Sequence, residues 1–181
     1  MIDIIHGDIK PKNVLIFEDN PGLYTARVAD FGFSTRFRGD RDLISMPKSI
    51  PWNAPEHHHR SFEPSAAKKM DVYSFGMLCV WLVFGATSSA TILLPPQTLR
   101  DKGQFISFEE LSQEQNLLQY WKSDRNNKLS MWATWLVAEY GHLTNEMNDN
   151  LAQFFNLTLA FEPEKRSTDF EHLLCLLSST R

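Results

Sequence analysis

The sequence predicts a mainly helical protein with one small β-hairpin near its start, and three observations carry that prediction. Apolar runs at residues 14–17 and 24–29 flank the turn-forming cluster Glu18-Asp19-Asn20-Pro21-Gly22, the pattern of two short strands joined by a tight connection. Val72, Phe75, Met77, Leu78, Val80, Trp81, Leu82 and Val83 cover every face of a helix over residues 68–84. A helix apolar all round sits at a domain centre with neighbours on each side. Beyond it, apolar residues recur at three- and four-residue spacing through 129–142, 145–159 and a last segment after Thr168, as they do on amphipathic helices.

A chain of 181 residues, 43% apolar and with five Trp, can bury one sizeable core. Its formal net charge of −4 gives no reason to expect nucleic acid or an anionic membrane as partner. Cys79 and Cys175 both fall within apolar runs and read as buried free thiols. Met1-Ile2-Asp3-Ile4-Ile5 is too short and too acidic for a signal peptide. The longest apolar stretch, 75–86, falls short of the roughly 20 residues that span a bilayer. An intracellular protein, cytoplasmic or nuclear, is expected, with neither nucleic acid nor membrane as partner.

Taken in order, 14–17 reads as a short buried strand and 24–29 as its antiparallel partner. Such a pair returns the chain to its start, so Asn13 and Asp30 should arrive on the same side. Residues 33–53 are polar, basic at Arg36, Arg38 and Arg41, and interrupted by Pro47 and Pro51. They read as a long surface loop, functional or disordered. His57-His58-His59 reads as a solvated run, because adjacent histidines cannot all face one ion and no Cys or second His cluster completes a set. Asp71 falls near the predicted start of the 68–84 helix, where the dipole favours it and backbone N–H groups can reach it; a plain cap and an anchor for something else are both open. Residues 86–106 read as a linker. Ser107-Phe108-Glu109-Glu110 and Thr168-Asp169-Phe170-Glu171 have the spacing of capping boxes. The first would start a helix to about residue 123, the second a final helix that buries Leu173, Leu174, Leu176 and Leu177. Trp132, Trp135, Leu136 and Tyr140 read as core.

The chemistry is concentrated in His6-Gly7-Asp8-Ile9-Lys10-Pro11-Lys12-Asn13 and in Ala29-Asp30-Phe31-Gly32. An acid can orient a hydroxyl and a lysine can neutralise developing charge. An amide and a second acid supply the oxygen ligands that a hard cation such as Mg2+ takes. Phosphoryl transfer asks for this set.

The segments HGDIKPKN, ADFG, WNAPE and DVYSFG, followed by Arg166 in Phe161-Glu162-Pro163-Glu164-Lys165-Arg166, stand in the order and rough spacing of the C-terminal lobe of eukaryotic protein kinases. The chain resembles that family over residues 4–85 and 151–178, and loosely between them. The resemblance implies an α+β family fold of which this sequence holds the C-lobe, with the N-lobe missing. It implies Asp8 as the acid that orients the substrate hydroxyl and Lys10 as the contact to the γ-phosphate, a serine/threonine-type feature. Asn13 and Asp30 would hold Mg2+ on ATP, with Leu15 as the apolar floor under the adenine. Ser49 would be the small hydroxyl of a substrate-docking loop, with Trp52 packed beneath it. His6 and Phe31 resemble members of a hydrophobic stack anchored by Asp71, and Glu56 with Arg166 a buried ion pair. The partner implied is a protein substrate or another partner protein.

The sequence also departs from the family. Gly7 stands where an arginine usually grips a phosphorylated loop, so no switching through Thr35, Ser45 or Ser49 is expected. The stretch from Asp71 to Arg166 is longer than usual, which places an insertion within 86–145. No Gly-rich phosphate loop, strand lysine or partner glutamate precedes the Asp8 loop in these residues. A partial kinase domain over 1–181, with weak or no transfer of its own, is therefore expected. Two other readings stand beside it. One is a non-catalytic, kinase-derived interaction module. The other is a small-molecule phosphotransferase of the aminoglycoside or choline kinase type, which also carries a His-Gly-Asp loop with Asn five positions after the Asp. Ala54-Pro55-Glu56, Lys10 and Asp71 favour the protein kinase.

Overall fold

The computed structural model describes residues 3–37, 43–58, 61–85, 92–93, 105–106, 121–139 and 144–178. The chain opens with strand β1 (Asp3–Ile5), then β2 (Val14–Asn20) and β3 (Leu23–Val28), then β4 (Thr35–Phe37), which returns to pair antiparallel with β1. β2 and β3 are the predicted hairpin, closed by Pro21-Gly22 with Gly22 at a φ of 80° that glycine adopts without cost. The hairpin is not buried, contrary to the sequence reading. Leu15, Ile16 and Phe17 are 48%, 63% and 41% exposed, because the two strands pack chiefly on each other. The described residues of the 33–53 stretch are not simply a surface loop. They contain β4 and β5 (Ile44–Ser45), and β5 pairs with β6 (Ser61–Phe62). Ile44 and Met46 alternate inward within that polar stretch and tie it to the core. Two further short strands, β7 (Ile92–Leu93) and β8 (Phe105–Ile106), pair antiparallel.

The body is built on helix α1 (Pro64–Val80), which starts with Pro at its first position, where the missing N–H costs nothing. It runs on into a π-helical turn, Trp81–Gly85. The start lies upstream of the predicted one, so Asp71 is mid-helix and not an N-terminal cap. Helix α2 (Lys128–Glu139) packs on α3 (Asn145–Thr158), and α3 packs on both α1 and α4 (Phe170–Ser178). Rings close these contacts: Phe75 stands edge-on to Phe154 with centroids 5.7 Å apart, and Phe84 lies 6.0 Å from Phe155. Gly76 lets α1 and α3 approach. A Cβ there would sit 2.6 Å from Thr158 Oγ1 and 2.9 Å from Leu159 Cδ2.

Caps fix the ends. Thr144 accepts from the Met147 N–H at 3.3 Å and Asp169 from the His172 N–H at 3.0 Å. The final helix is thus capped by Asp169 and not by Thr168. Leu173 and Leu176 are buried as predicted, whereas Leu174 and Cys175 face solvent. Trp132 and Leu136 are core, with Trp135 packed against it. His57 departs from the solvated run: it is buried, its Nε2 meeting Met46 O at 3.1 Å. The Ser107–Glu110 capping box, Arg38, Arg41, His59, Tyr140 and most of the 86–145 insertion lie outside the described residues. Among the described residues no helix is long and apolar enough to cross a membrane.

Candidate active site

The Asp8 loop is fixed from below by α1. Asp71 projects from mid-helix and accepts the backbone N–H groups of His6 at 2.6 Å and Gly7 at 2.9 Å. Burial pushes the Asp71 carboxyl above its usual range; the two N–H groups pull it back and the nearby Asp8 charge pushes it further up. Gly7 has a φ of 82°, and a Cβ on it would meet Phe33 O at 3.2 Å. Glycine suits this position for two independent reasons, conformation and space. The His6 ring meets Ala29 O through Nε2 at 3.0 Å and accepts the Asp8 N–H through Nδ1 at 3.3 Å. These two contacts assign the tautomer with its proton on Nε2.

Asp8 is 3% exposed, and three side chains converge on its carboxylate. Lys10 Nζ lies 2.6 Å from Oδ2, Ser49 Oγ donates to Oδ1 at 2.5 Å, and Asn13 Nδ2 donates to Oδ2 at 3.0 Å. Burial alone would raise its pKa. The hydrogen bonds from Lys10, Ser49 and Asn13, with the Lys10 charge, outweigh that and hold it below the usual carboxylate value. Lys10 Nζ also reaches Ser49 Oγ at 3.5 Å. Asn13 ends a 3-10 turn (Pro11–Asn13) set by the proline, and its Nδ2 also holds Asp8 O at 2.8 Å.

The hairpin performs the convergence expected of it. Ala29 N donates to Asn13 O at 2.8 Å, which sets Asp30 beside the Asn13 end of the hairpin. Asp30 lies in the left-handed region at φ 62° and accepts the Gly32 N–H at 3.3 Å. Phe31, 60% exposed, packs its ring at a tilt against His6, centroids 5.2 Å apart. Leu15 is exposed on β2. Trp52 meets Trp81 edge-on at 6.4 Å, and the Asn53 N–H bonds Ser49 O at 2.9 Å, folding Ser49 back over the loop. A small, shallow cleft runs between the loop, the 46–57 segment and α1, lined by Asp8, Ser49, Trp52, Asn53, His57 and Ser74 among others.

Farther out, Arg166 and Glu56 form a two-pronged pair, NH1 to Oε1 at 2.5 Å and NH2 to Oε2 at 2.9 Å. One buried cation was not singled out by the sequence. Lys122 donates to Pro51 O at 2.8 Å, and burial pushes its ammonium down to about 7 despite the pull of Glu56. Nothing in its neighbourhood in sequence marks it, since the segment reads only as a helix end.

The donor set suits Mg2+. Asn13 spends its N–H2 on Asp8, and among the described residues no hydrogen bond is seen to the Asn13 amide oxygen or to the second carboxylate oxygen of Asp30. Mg2+ typically takes one or two protein oxygens and completes its shell with water and phosphate. The chemical capacity of the site is therefore an anionic, fixed acid, a cation in contact with it, and two oxygen donors nearby.

The protein kinase domain profile matches residues 2–175, and the chain belongs to that family. Among curated relatives, the rust resistance kinase Lr10 of Triticum aestivum is 31% identical over 144 residues, covering 74% of this chain and 21% of the relative. The RAF proto-oncogene serine/threonine-protein kinase of Xenopus laevis is 33% identical over 107 residues, 58% of this chain and 15% of the relative. The leucine-rich repeat receptor-like protein kinase TDR of Arabidopsis thaliana is 33% identical over 85 residues, 47% of this chain and 8% of the relative. The chain thus spans about a fifth or less of the length of these relatives. Proteins of this family generally use ATP and Mg2+ and act on protein substrates.

Proposed function

We propose that these residues are the C-lobe part of a serine/threonine-specific protein kinase domain, whose reaction is transfer of the ATP γ-phosphoryl group to a protein hydroxyl. Asp8 orients that hydroxyl, Lys10 neutralises charge at the γ-phosphate, and Asn13 and Asp30 hold Mg2+. The observation that carries the reading is the threefold engagement of the Asp8 carboxylate by Lys10, Ser49 and Asn13. It keeps the acid anionic and aimed, which positioning of a nucleophile requires. Lys10 and Ser49 favour serine/threonine over tyrosine specificity. In the same reading Leu15 underlies the adenine, Ser49 and Trp52 dock the protein substrate, and the protein works inside the cell, in cytoplasm or nucleus, where ATP is supplied.

Phe31, Leu15 and Asp30 are exposed. Electrostatic stabilisation of a transition state is strong in a closed, dry site, so the 181 residues by themselves transfer phosphate slowly or not at all. Calorimetry with ATP·Mg2+ and labelled-phosphate transfer test both parts. Expected are binding weaker than micromolar that Asp30→Ala abolishes, and label confined to Ser or Thr and lost in Asp8→Asn. Stoichiometric micromolar binding would refute the low activity. Label on small alcohols but not on proteins would refute the protein kinase assignment.

A further inference from the structure

Lys122 touches none of the groups on Asp8, yet it is 2% exposed. Its amine donates to Pro51 O at 2.8 Å, approaches Asn53 Oδ1 at 3.5 Å, and lies 5.7 Å from the centre of the Tyr73 ring. Both acceptors belong to buried residues. Arg166 lies over the same ring at 4.8 Å and is neutralised by Glu56. A lysine is costly to bury and is held where its donors meet acceptors that would otherwise be orphaned. Residues 49–53 form a turn without regular secondary structure, closed by the backbone bond from Asn53 N to Ser49 O at 2.9 Å. Ser49, at the other end of that turn, donates to Asp8 at 2.5 Å. A continuous chain of contacts therefore runs from Lys122 through Pro51 and Asn53 to Ser49 and Asp8.

We propose that Lys122 is a positioning residue, whose amine clamps the Pro51–Asn53 turn and thereby sets Ser49 against Asp8. What the clamp serves rests on the phosphoryl-transfer reading above; the clamp itself rests on the contacts. The groups facing the amine are the Tyr73 phenol ring on α1, Glu56 and Lys48 on the segment flanking the turn, and Arg166 ahead of α4. Burial lowers its proton affinity to about 7 from an ordinary 10.5, Glu56 opposes, and Lys48 and Arg166 add to the lowering. The sign follows. Opening the clamp returns Lys122 to water, where it binds a proton that the closed form lacks between about pH 7 and 10.5. The closed form therefore gains on the open one as pH rises through that window, by up to about tenfold per pH unit.

Amide hydrogen exchange, read at Asn53 and at Phe154 in α3 without nucleotide from about pH 6 to 9, tests this. In the wild type the Asn53 protection factor, relative to Phe154, should be flat below about pH 7 and rise several-fold to tenfold per unit above it. Lys122→Arg, which keeps donors but not the titration, should flatten the profile. Lys122→Met should lower Asn53 protection at least tenfold at neutral pH and leave Phe154 protected. A flat wild-type profile overturns the proposal, as does parallel loss at both amides in Lys122→Met. If Lys122→Met fails to fold, the wild-type and Lys122→Arg profiles decide by the same criterion. Because exchange is read without phosphoryl transfer, a missing kinase activity would refute the reading of the site and leave the clamp standing.

Discussion

Glu56→Gln should be among the most damaging single substitutions in this protein, although Glu56 is far from Asp8 in sequence. Arg166 is 3% exposed and spends its guanidinium on Glu56 and on three backbone carbonyls, Ala160 O at 2.8 Å, Phe161 O at 3.0 Å and Lys69 O at 3.3 Å. With the carboxylate gone, the carbonyls still accept its N–H groups but none carries a countercharge. Stranding a buried charge in this way costs about 3–5 kcal/mol. For a chain of this size that is a fall of roughly 6–20 °C in melting temperature, and a large share of a total stability of about 5–15 kcal/mol. Arg166→Met strands a different set. The Glu56 side chain is 20% exposed and can be rehydrated, but Ala160 O and Phe161 O lose the Arg166 donor, at about 1–3 kcal/mol for each one that water does not reach; Lys69 O, inside α1, keeps the helical N–H four residues on. The double variant removes both charges together and should cost less than the sum of the two singles by at least about 2 kcal/mol. Urea unfolding of the four proteins measures this cycle. Singles that cost under about 1 kcal/mol, or a double equal to their sum within about 0.5 kcal/mol, would refute the reasoning.

Gly76→Ala places a Cβ against Thr158 and Leu159, with the nearest heavy atom at 2.6 Å, and should destabilise by about 1–3 kcal/mol in thermal melts. Thr158→Ala should relieve it only in part, because the Thr158 Cβ itself stands 2.8 Å away. Gly7→Ala should cost about 1–2 kcal/mol from its φ of 82°, with added strain against Phe33 O. Glutamate at Thr35, Ser45 or both should change transfer to protein less than tenfold, since no guanidinium stands at Gly7 to receive the charge; a larger change refutes this. Asp8 is depressed below 3.8, so its stabilising contribution is present above that pH and lost as pH falls through its folded value. Asp8→Asn should therefore flatten the acid limb of urea midpoints as pH falls below 3.8. Asp71 acts in the opposite sense. Its raised value makes the folded form bind the extra proton, so its contribution declines as pH rises from 3.8 through the folded value.

Local signals were legible and long-range ones were not. The hairpin could be read because a turn cluster between two apolar runs is a complete instruction within a few residues, and the Asn13–Asp30 convergence followed from geometry alone. Helices α2 and α3 announced themselves through periodicity. Burial of the hairpin could not be read, since an apolar strand looks the same whether a layer covers it or not, and Ile16 at 63% exposure is the result. Asp71 was misplaced because Pro64 can open a helix without a recognisable side-chain cap, which moved the start upstream and put the acid mid-helix. The inward turn of Ile44, Met46 and His57 depended on pairing with Ser61–Phe62. Lys122 was invisible for a related reason: its partners are 69 and 71 positions away.

Gly7 and Asp71 together explain how the Asp8 loop is held without the arginine usual in the family. An arginine there acts through its side chain and depends on the state of a distant loop. Here the restraint on the loop runs through the backbone: His6 N–H and Gly7 N–H both end on one carboxylate from the central helix. That carboxylate is disfavoured by burial and is kept by the two N–H groups it satisfies. Gly7 combines a positive φ, an N–H that ends on Asp71 and a close approach to Phe33 O, which a Cβ would meet at 3.2 Å. A side chain at that position would work against the same geometry that anchors the acid. The loop backbone thus rests on α1 through Asp71, and Asp8, Lys10, Asn13 and Ser49 form one hydrogen-bonded unit above it.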